Sequence, residues 1–533
     1  MSARFGVLFV ALSLTVTGLA DAEAQERGSG MTPLGTPELR AELFDSIMEM
    51  TRRREAWSPF KEEGMGYDPL AEMEAVRDQV VNAGTEEELY YALTLLSNAR
   101  RDSHLYLTPV PDGLSGPRLP EVHAPIQVRP DYTDMSAPGF FVSGVDRAAL
   151  TGSGLPGADR VAIGDAIVSV NGRAIPDFVE TLRAWTRHSA LQGLYWRLAR
   201  DVPIRAPATA PSMYGETLDL ELEDASGERY RASLPYLDPA DVSLELGEAE
   251  LYPGFSVVME RFNFNVLRPD DGRPIVLLQW LDFEYELIQD MVDLMEYAES
   301  EGILEHTMVI DVTASSGGSR GAYAIQRLVD KPFRTTFGNL RISDAAIDMI
   351  DSWAIEPDRD VPEIFGLNES RSWLHEWART GARQDVEGGL EYTRATPFKL
   401  AHLPQEAEDG ILEPAPVHFS GPIAIIGGPN GGSHLDQFVS MFADNDLAFT
   451  IGMPTGGYSN TWEAEETLYF PGTDQPVVQF MWNIGHTLRP NGQILEGNAV
   501  QPEIYVPLTR ENFRTYHRDL LEAALARLGR PVS

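Results

Sequence analysis

Between residues 36 and 100, apolar side chains recur at the three- and four-residue spacing of helices that bury one face. Leu70, Met73, Val76 and Val80 form one such stripe, and Leu89, Ala92, Leu93 and Leu96 form another. Helix starts are marked chemically: Thr36-Pro37 and Asp68-Pro69 each place a capping side chain before a proline, and Thr85-Glu86-Glu87-Glu88 has the spacing of a capping box. The last helix runs into Asp102-Ser103-His104-Leu105-Tyr106-Leu107, whose composition predicts a strand. From about Pro120 the chain turns to short strands and turns, with Gly139-Phe140-Phe141-Val142, an Asn171-Gly172 hairpin, a helical stretch from Phe178 to Arg200 and strands around Thr217 to Leu234. After residue 250, β-rich runs alternate with helical stretches: Ile275 to Leu278, Met308 to Val312, Ile423 to Ile426 and Ala448 to Ile451. That alternation predicts an α/β domain with largely parallel pairing. The segment from about Arg334 to Glu413 is polar, Pro-rich and weakly periodic, and reads as an insertion.

At the amino terminus Arg4 precedes an apolar run from Phe5 to Ala20, followed by Ala20-Asp21-Ala22 and Ala22-Glu23-Ala24 as small-x-small cleavage sites. This is the layout of a signal peptide over residues 1–24, and the run is short for a membrane span. The expected divisions are a helical region at 25–118, a β-rich module at 119–245 and an α/β core at 246–533. A chain of 533 residues supports such a division into two or three units. Its 81 acidic and 42 basic side chains give a formal charge of −39, which repels nucleic acid and anionic membranes. With no cysteine, the chain has neither disulfides nor thiol catalysis, and export without disulfides fits a periplasmic or secreted protein.

The chemistry concentrates in two Gly-rich turns. Ile423 to Ile426 leads through Gly427-Gly428-Pro429-Asn430-Gly431-Gly432 to Ser433, and then to a helix with Leu435, Phe438, Val439 and Phe442 on one face. A hydroxyl there would lie beside unpaired N–H groups and the positive end of a helix, which favour an oxyanion. Ser433 with Asp436 also has the spacing of a simple capping pair, so local sequence leaves both readings open. The loop lacks the G-x-S-x-G and phosphate-loop spacings. The second turn, Val309-Ile310-Asp311-Val312-Thr313-Ala314-Ser315-Ser316-Gly317-Gly318, is another strand ending in a glycine pair before a helix.

These turns resemble motifs of the C-terminal-processing (tail-specific) serine proteases. The second turn looks like their D-x-R-x-N-x-G-G run, Ser433 matches their Gly-Gly-Ser turn, and Ile451-Gly452-Met453-Pro454-Thr455-Gly456-Gly457 is similar to their G-x-x-T-x-G loop. Leu495-Glu496-Gly497-Asn498-Ala499-Val500-Gln501-Pro502-Glu503-Ile504 resembles their E-G-x-G-V-x-P-D strand. Upstream, Gly139 to Val142 and Gly164-Asp165-Ala166-Ile167-Val168-Ser169-Val170-Asn171-Gly172 look like parts of a PDZ domain. The resemblance implies a crotonase-like (ClpP-like) α/β core with a PDZ-like module, Ser433 as nucleophile, and an oxyanion hole from the His434 N–H with that of Gly317 or Gly318. It implies polypeptide substrates, no metal and no organic cofactor, with Gly139, Phe140 and Phe141 as peptide-binding residues. Where relatives place the lysine of a Ser/Lys dyad, this chain has Tyr458, and its only lysines are Lys61, Lys331 and Lys399. The resemblance therefore points to the tricorn-like, chlamydial-secreted-protease-like branch, with His104 as base, Glu496 as its carboxylate and Ser103 as a fourth member. Glu463 and Glu465 are alternative carboxylates, and His434 is a rival base. The departure Thr313-Ala314-Ser315 keeps a second reading open, a non-catalytic binder of peptides or ligands on the same fold.

Overall fold

The computed structural model describes residues 32–248, 251–355, 367–397, 409–459 and 462–530. The apolar run at the amino terminus and its cleavage sites lie outside them. At the centre is a seven-stranded sheet in the spatial order Phe255–Glu260, Phe264–Pro269, Ile275–Trp280, Thr307–Asp311, Ile423–Gly427, Phe449–Gly452, Ile504–Tyr505. Its first three strands pair antiparallel with their neighbours, and pairing is parallel from Ile275–Trp280 onward. Side chains alternate across it: Ile275, Leu277, Val309, Ala424 and Ile426 pack toward Leu520, Leu521 and Ala524 of the terminal helix Tyr516–Arg527. Val276, Leu278, Met308, Ile310 and Ile425 pack on the other face, against helices Leu287–Glu301, Gly321–Leu328 and His434–Asp444. Because both faces are covered, these strands read as unbroken apolar runs rather than alternating ones. The parallel order also sets the turns after Asp311, Gly427 and Gly452 side by side at one edge of the sheet, the position where open α/β sheets carry ligands.

The β-rich module forms a second seven-stranded sheet. Its Asn171-Gly172 hairpin has positive φ at both residues, 49° and 76°, as the two-residue turn requires. The expected single helical stretch is two helices, Ile175–Arg183 and Leu191–Asp201. Between them the Thr186 and His188 side chains bond locally to the Leu182 and Thr186 carbonyls, and Ser189 Oγ accepts the Ser103 N–H at 3.1 Å.

The amino-terminal helices begin at their caps: Thr36 accepts from Leu39 N, Asp68 from Leu70 and Ala71 N, and Thr85 from Glu88 N. They do not enclose a core of their own. Leu43, Phe44, Ile47, Leu93 and Leu96 share one cluster with Leu468, Phe480 and Trp482 and with Leu340, Ile350 and Trp377 of the 334–413 segment. That segment is woven into the protein: Phe337–Leu340 pairs with Gly485–Leu488, and helix Asp344–Trp353 follows. The strand expected over Asp102–Leu107 shrinks to Leu107–Thr108, paired with Phe480 and Gln479. Residues 103–104 form a bend, because Asp102 Oδ1 takes the His104 N–H at 2.9 Å in place of a sheet partner. The pairing of Leu107 carries the His104 segment onto the carboxyl-terminal third of the chain.

Candidate active site

Ser433 joins strand Ile423–Gly427 to helix His434–Asp444 with φ 61° and ψ −124°, a left-handed conformation that a side-chain-bearing residue adopts only under constraint. The constraint comes from three neighbouring turns. Ser433 N–H is bonded to Tyr458 O, Gly456 N–H to Gly431 O at 2.6 Å, and Gly497 N–H to Gly457 O at 2.8 Å. Asp436 does not cap its helix through Ser433, whose side chain makes no capping bond. Instead its buried carboxylate accepts from Thr455 Oγ1, Gly457 N at 3.2 Å and Tyr458 N at 3.0 Å, clamping the 455–458 loop to the serine helix. Burial pushes Asp436 up to about 7 against those hydrogen bonds. The capping pair suggested by sequence is thus a loop anchor.

Close backbone approach explains the glycines. A Cβ on Gly317 would stand 2.5 Å from Ser433 Cβ and 3.1 Å from its Oγ, and one on Gly431 would stand 2.0 Å from Ser315 O. The Gly317 backbone therefore lies against the Ser433 hydroxyl. Gly318 is bridged to Phe283, whose carbonyl accepts from Ser319 N. His434 is turned away: its ring is buried beside Phe283, and Nε2 accepts the Gly321 N–H at 2.7 Å, which commits that nitrogen to structure. Only its backbone N–H, at the helix start, remains a candidate for the site.

His104 meets the Tyr458 ring edge-on, with centroids 5.3 Å apart. Tyr458 is also the acceptor for Ser433 N–H and covers Gly432, so one residue touches both the serine turn and the histidine. The buried Nδ1 of His104 has no hydrogen-bond partner among the described residues, and the Glu463 carboxylate lies 3.9 Å away. Burial, with Arg197, Arg187 and Lys61 nearby and Asp102 opposing, pushes the imidazole down to about 4 and keeps it neutral. Burial and then Asp102 push Glu463 up to about 8.

Glu496 is fully buried, and its carboxylate accepts from Ser459 N at 2.8 Å and from Lys61 Nζ at 3.3 Å. Ser459 Oγ in turn donates to Ser433 O at 3.1 Å. Lys61 reaches Asp102 Oδ2 at 3.5 Å, and Asp102 holds the His104 N–H. One continuous polar chain therefore runs Ser433, Ser459, Glu496, Lys61, Asp102, His104. Burial and then Asp102 raise Glu496 above the usual carboxylate range. Ser103 is buried in the bend, its N–H on Ser189 Oγ. Lys61 and Ser459 went unread in sequence; the scarcity of lysine was the one signal that marked Lys61. Gly139, Phe140 and Phe141 lie elsewhere, in strand Gly139–Val145. Phe140 pairs with Pro130 and Ile167 and Phe141 with Arg129 and Ala166, Gly139 pairs with Asp131, and both rings are buried.

No helix among the described residues is long and apolar enough to cross a membrane. No family model matches the chain, and no curated protein matches it. Solved structures do. Mature CPAF is 15% identical with a TM-score of 0.67, the alignment covering 92% of this chain and 98% of that one. Mature CPAF complexed with lactacystin gives the same identity and TM-score over 92% of this chain and 99% of that chain. At this identity the likeness speaks to architecture: over nearly its whole length the chain shares the fold of CPAF.

Proposed function

We propose that the protein is an exported serine endopeptidase of the tail-specific type, periplasmic or secreted, acting on unfolded or tail-bearing polypeptides. Ser433 is the nucleophile and His104 the general base, with Glu496 as the acidic member and Ser103 as an auxiliary of that set. In this reading 119–245 is a PDZ-like module and 246–533 a crotonase-like core. The observation that carries the proposal is the Ser433 turn: a strained serine at a strand-to-helix junction, its hydroxyl against the Gly317 backbone. Strain of this kind costs on the order of 1–3 kcal/mol and persists where the surroundings impose it, as in nucleophile turns generally. The shared fold with CPAF and the motif order support the same reading.

The chemistry follows from the groups named. A neutral His104 takes the Ser433 proton as Oγ attacks the peptide carbonyl. The developing oxyanion is met by the His434 N–H, with that of Gly317 or Gly318. His104 then returns the proton to the leaving amine, and water repeats the cycle on the acyl-enzyme. The Nδ1 of His104, without a hydrogen-bond partner among the described residues, favours the second reading, a peptide or ligand binder without turnover, although catalytic hydrogen bonds commonly tighten only with substrate.

Labelling with a fluorophosphonate separates the two. Wild type labels and Ser433→Ala does not, and peptide cleavage falls roughly 10⁶-fold in the variant. A folded wild type that takes no label contradicts the peptidase.

A further inference from the structure

Two arginines beside this site lack a carboxylate partner among the described residues, in a chain with nearly two acidic side chains for every basic one. Arg197 lies on helix Leu191–Asp201, which docks on the serine turns through Gln192 Nε2 to Thr455 O at 2.8 Å and Trp196 Nε1 to Asn430 Oδ1 at 2.9 Å. Its guanidinium carbon stands 5.2 Å from the centroid of Tyr458, the ring that meets His104. Arg187 comes from the break between the two helices. Its carbonyl accepts from Arg197 Nη1 at 2.9 Å, and its guanidinium stands 5.4 Å from the Tyr106 ring centroid. Arg187 is exposed, yet crowding by protein, together with the Arg197 charge, pushes its guanidinium down to about 10 while Tyr106 and Asp102 oppose the shift. Two neighbouring cations, neither with a carboxylate at ion-pair distance among the described residues, form an arrangement that an incoming anion relieves.

We infer that Arg187 and Arg197 form a carboxylate-binding subsite that selects peptides carrying a carboxylate close to the scissile bond. The inference rests on the peptidase reading for its consequence in turnover. The ring distances put Arg197 within about three residues of extended peptide from the imidazole, so the carboxylate belongs to an Asp or Glu side chain near the cut or to a free carboxyl terminus. Guanidinium is suited to this task because its planar fork meets a carboxylate at two points.

Two peptide series test it. One is blocked at both ends and exchanges Glu for Gln at each position near the cut; the other is neutral and ends in a free acid or an amide. Wild type is expected to prefer the acid member of one series by roughly tenfold or more in kcat/KM. The preference collapses toward unity in Arg187→Gln and is partly kept in Arg187→Lys. The readout is a ratio within one protein preparation, so loss of folded material cancels. Whichever series shows the preference identifies the source of the carboxylate. Equal turnover of acid and neutral members in both series, or a preference that Arg187→Gln leaves intact, overturns the subsite. So does a fall in Arg187→Gln that is the same for every peptide. Binding of the same peptides to Ser433→Ala, followed by fluorescence anisotropy, keeps the question separate from catalysis. If wild type takes no fluorophosphonate, acid-dependent binding lost in Arg187→Gln still supports the subsite, and binding indifferent to the acid overturns it.

Discussion

The serine turn and the histidine bend are held by different kinds of force. Ser433 is fixed by backbone: parallel strands set the turns after Gly427 and Gly452 side by side, and hydrogen bonds between them, with Gly497 bonded to Gly457, hold its φ at 61°. His104 is fixed by side chains: its near neighbour Asp102 on its N–H and, from distant parts of the chain, Tyr458 against its ring and Lys61 behind Asp102. The first arrangement stores strain and tolerates no added atom. The second depends on charges, and it leaves a ring nitrogen unpartnered among the described residues. The nucleophile is thus set by topology and the base by electrostatics, and each side should fail in its own way.

The largest effect tests whether the two sides act as one unit. Ser433→Ala and His104→Ala are each expected to cost on the order of 10⁶-fold in kcat, about 8 kcal/mol, with the double variant no worse than either alone. Additive losses in single-turnover assays would mean the two residues act separately. Next comes Lys61→Met, which strips the ammonium from two buried carboxylates, Asp102 and Glu496. Denaturant unfolding should show a loss of about 3–5 kcal/mol, the usual cost of orphaning a buried charge. A change below ~1 kcal/mol would show that the polar chain does not depend on Lys61. On the backbone side, Gly317→Ala places a Cβ 2.5 Å from Ser433 Cβ. Activity should fall about 10²–10³-fold, the scale of losing an oxyanion donor, while the melting temperature moves far less. The smallest effect is a displacement in pH. Because burial and the nearby cations hold His104 down to about 4 from the ordinary 6.5, the imidazole is already the neutral base above about pH 5. The fluorophosphonate labelling rate should therefore stay level down to about that pH and halve near 4; halving near 6.5 would refute the electrostatic half of the comparison.

The two regions also differed in how far they could be read from sequence. The serine side was legible because its determinants are local: apolar runs buried on both sheet faces, then glycines where backbones touch, as at Gly317 and Gly431. His104 was placed by motif order alone. Its surroundings were not legible, because Asp102 competes with the sheet for the His104 N–H and turns an expected strand into a bend. Lys61 lies 435 positions before Glu496, and no periodicity encodes a contact of that span. The 334–413 segment looked like a polar appendage because its apolar residues are sparse, yet Leu340, Ile350 and Trp377 complete a core begun by the first helices. Gly139 to Phe141 fall in a strand, and its partners on either side come from segments that the local sequence does not name.

The most direct measurement is the rate and site of fluorophosphonate modification in wild type and in folded His104→Ala. If His104 activates Ser433, wild type is modified at Ser433 alone and the His104 variant labels slower by several orders of magnitude. Equal rates in the two proteins, or label found on another residue, would contradict the pairing of this imidazole with this hydroxyl.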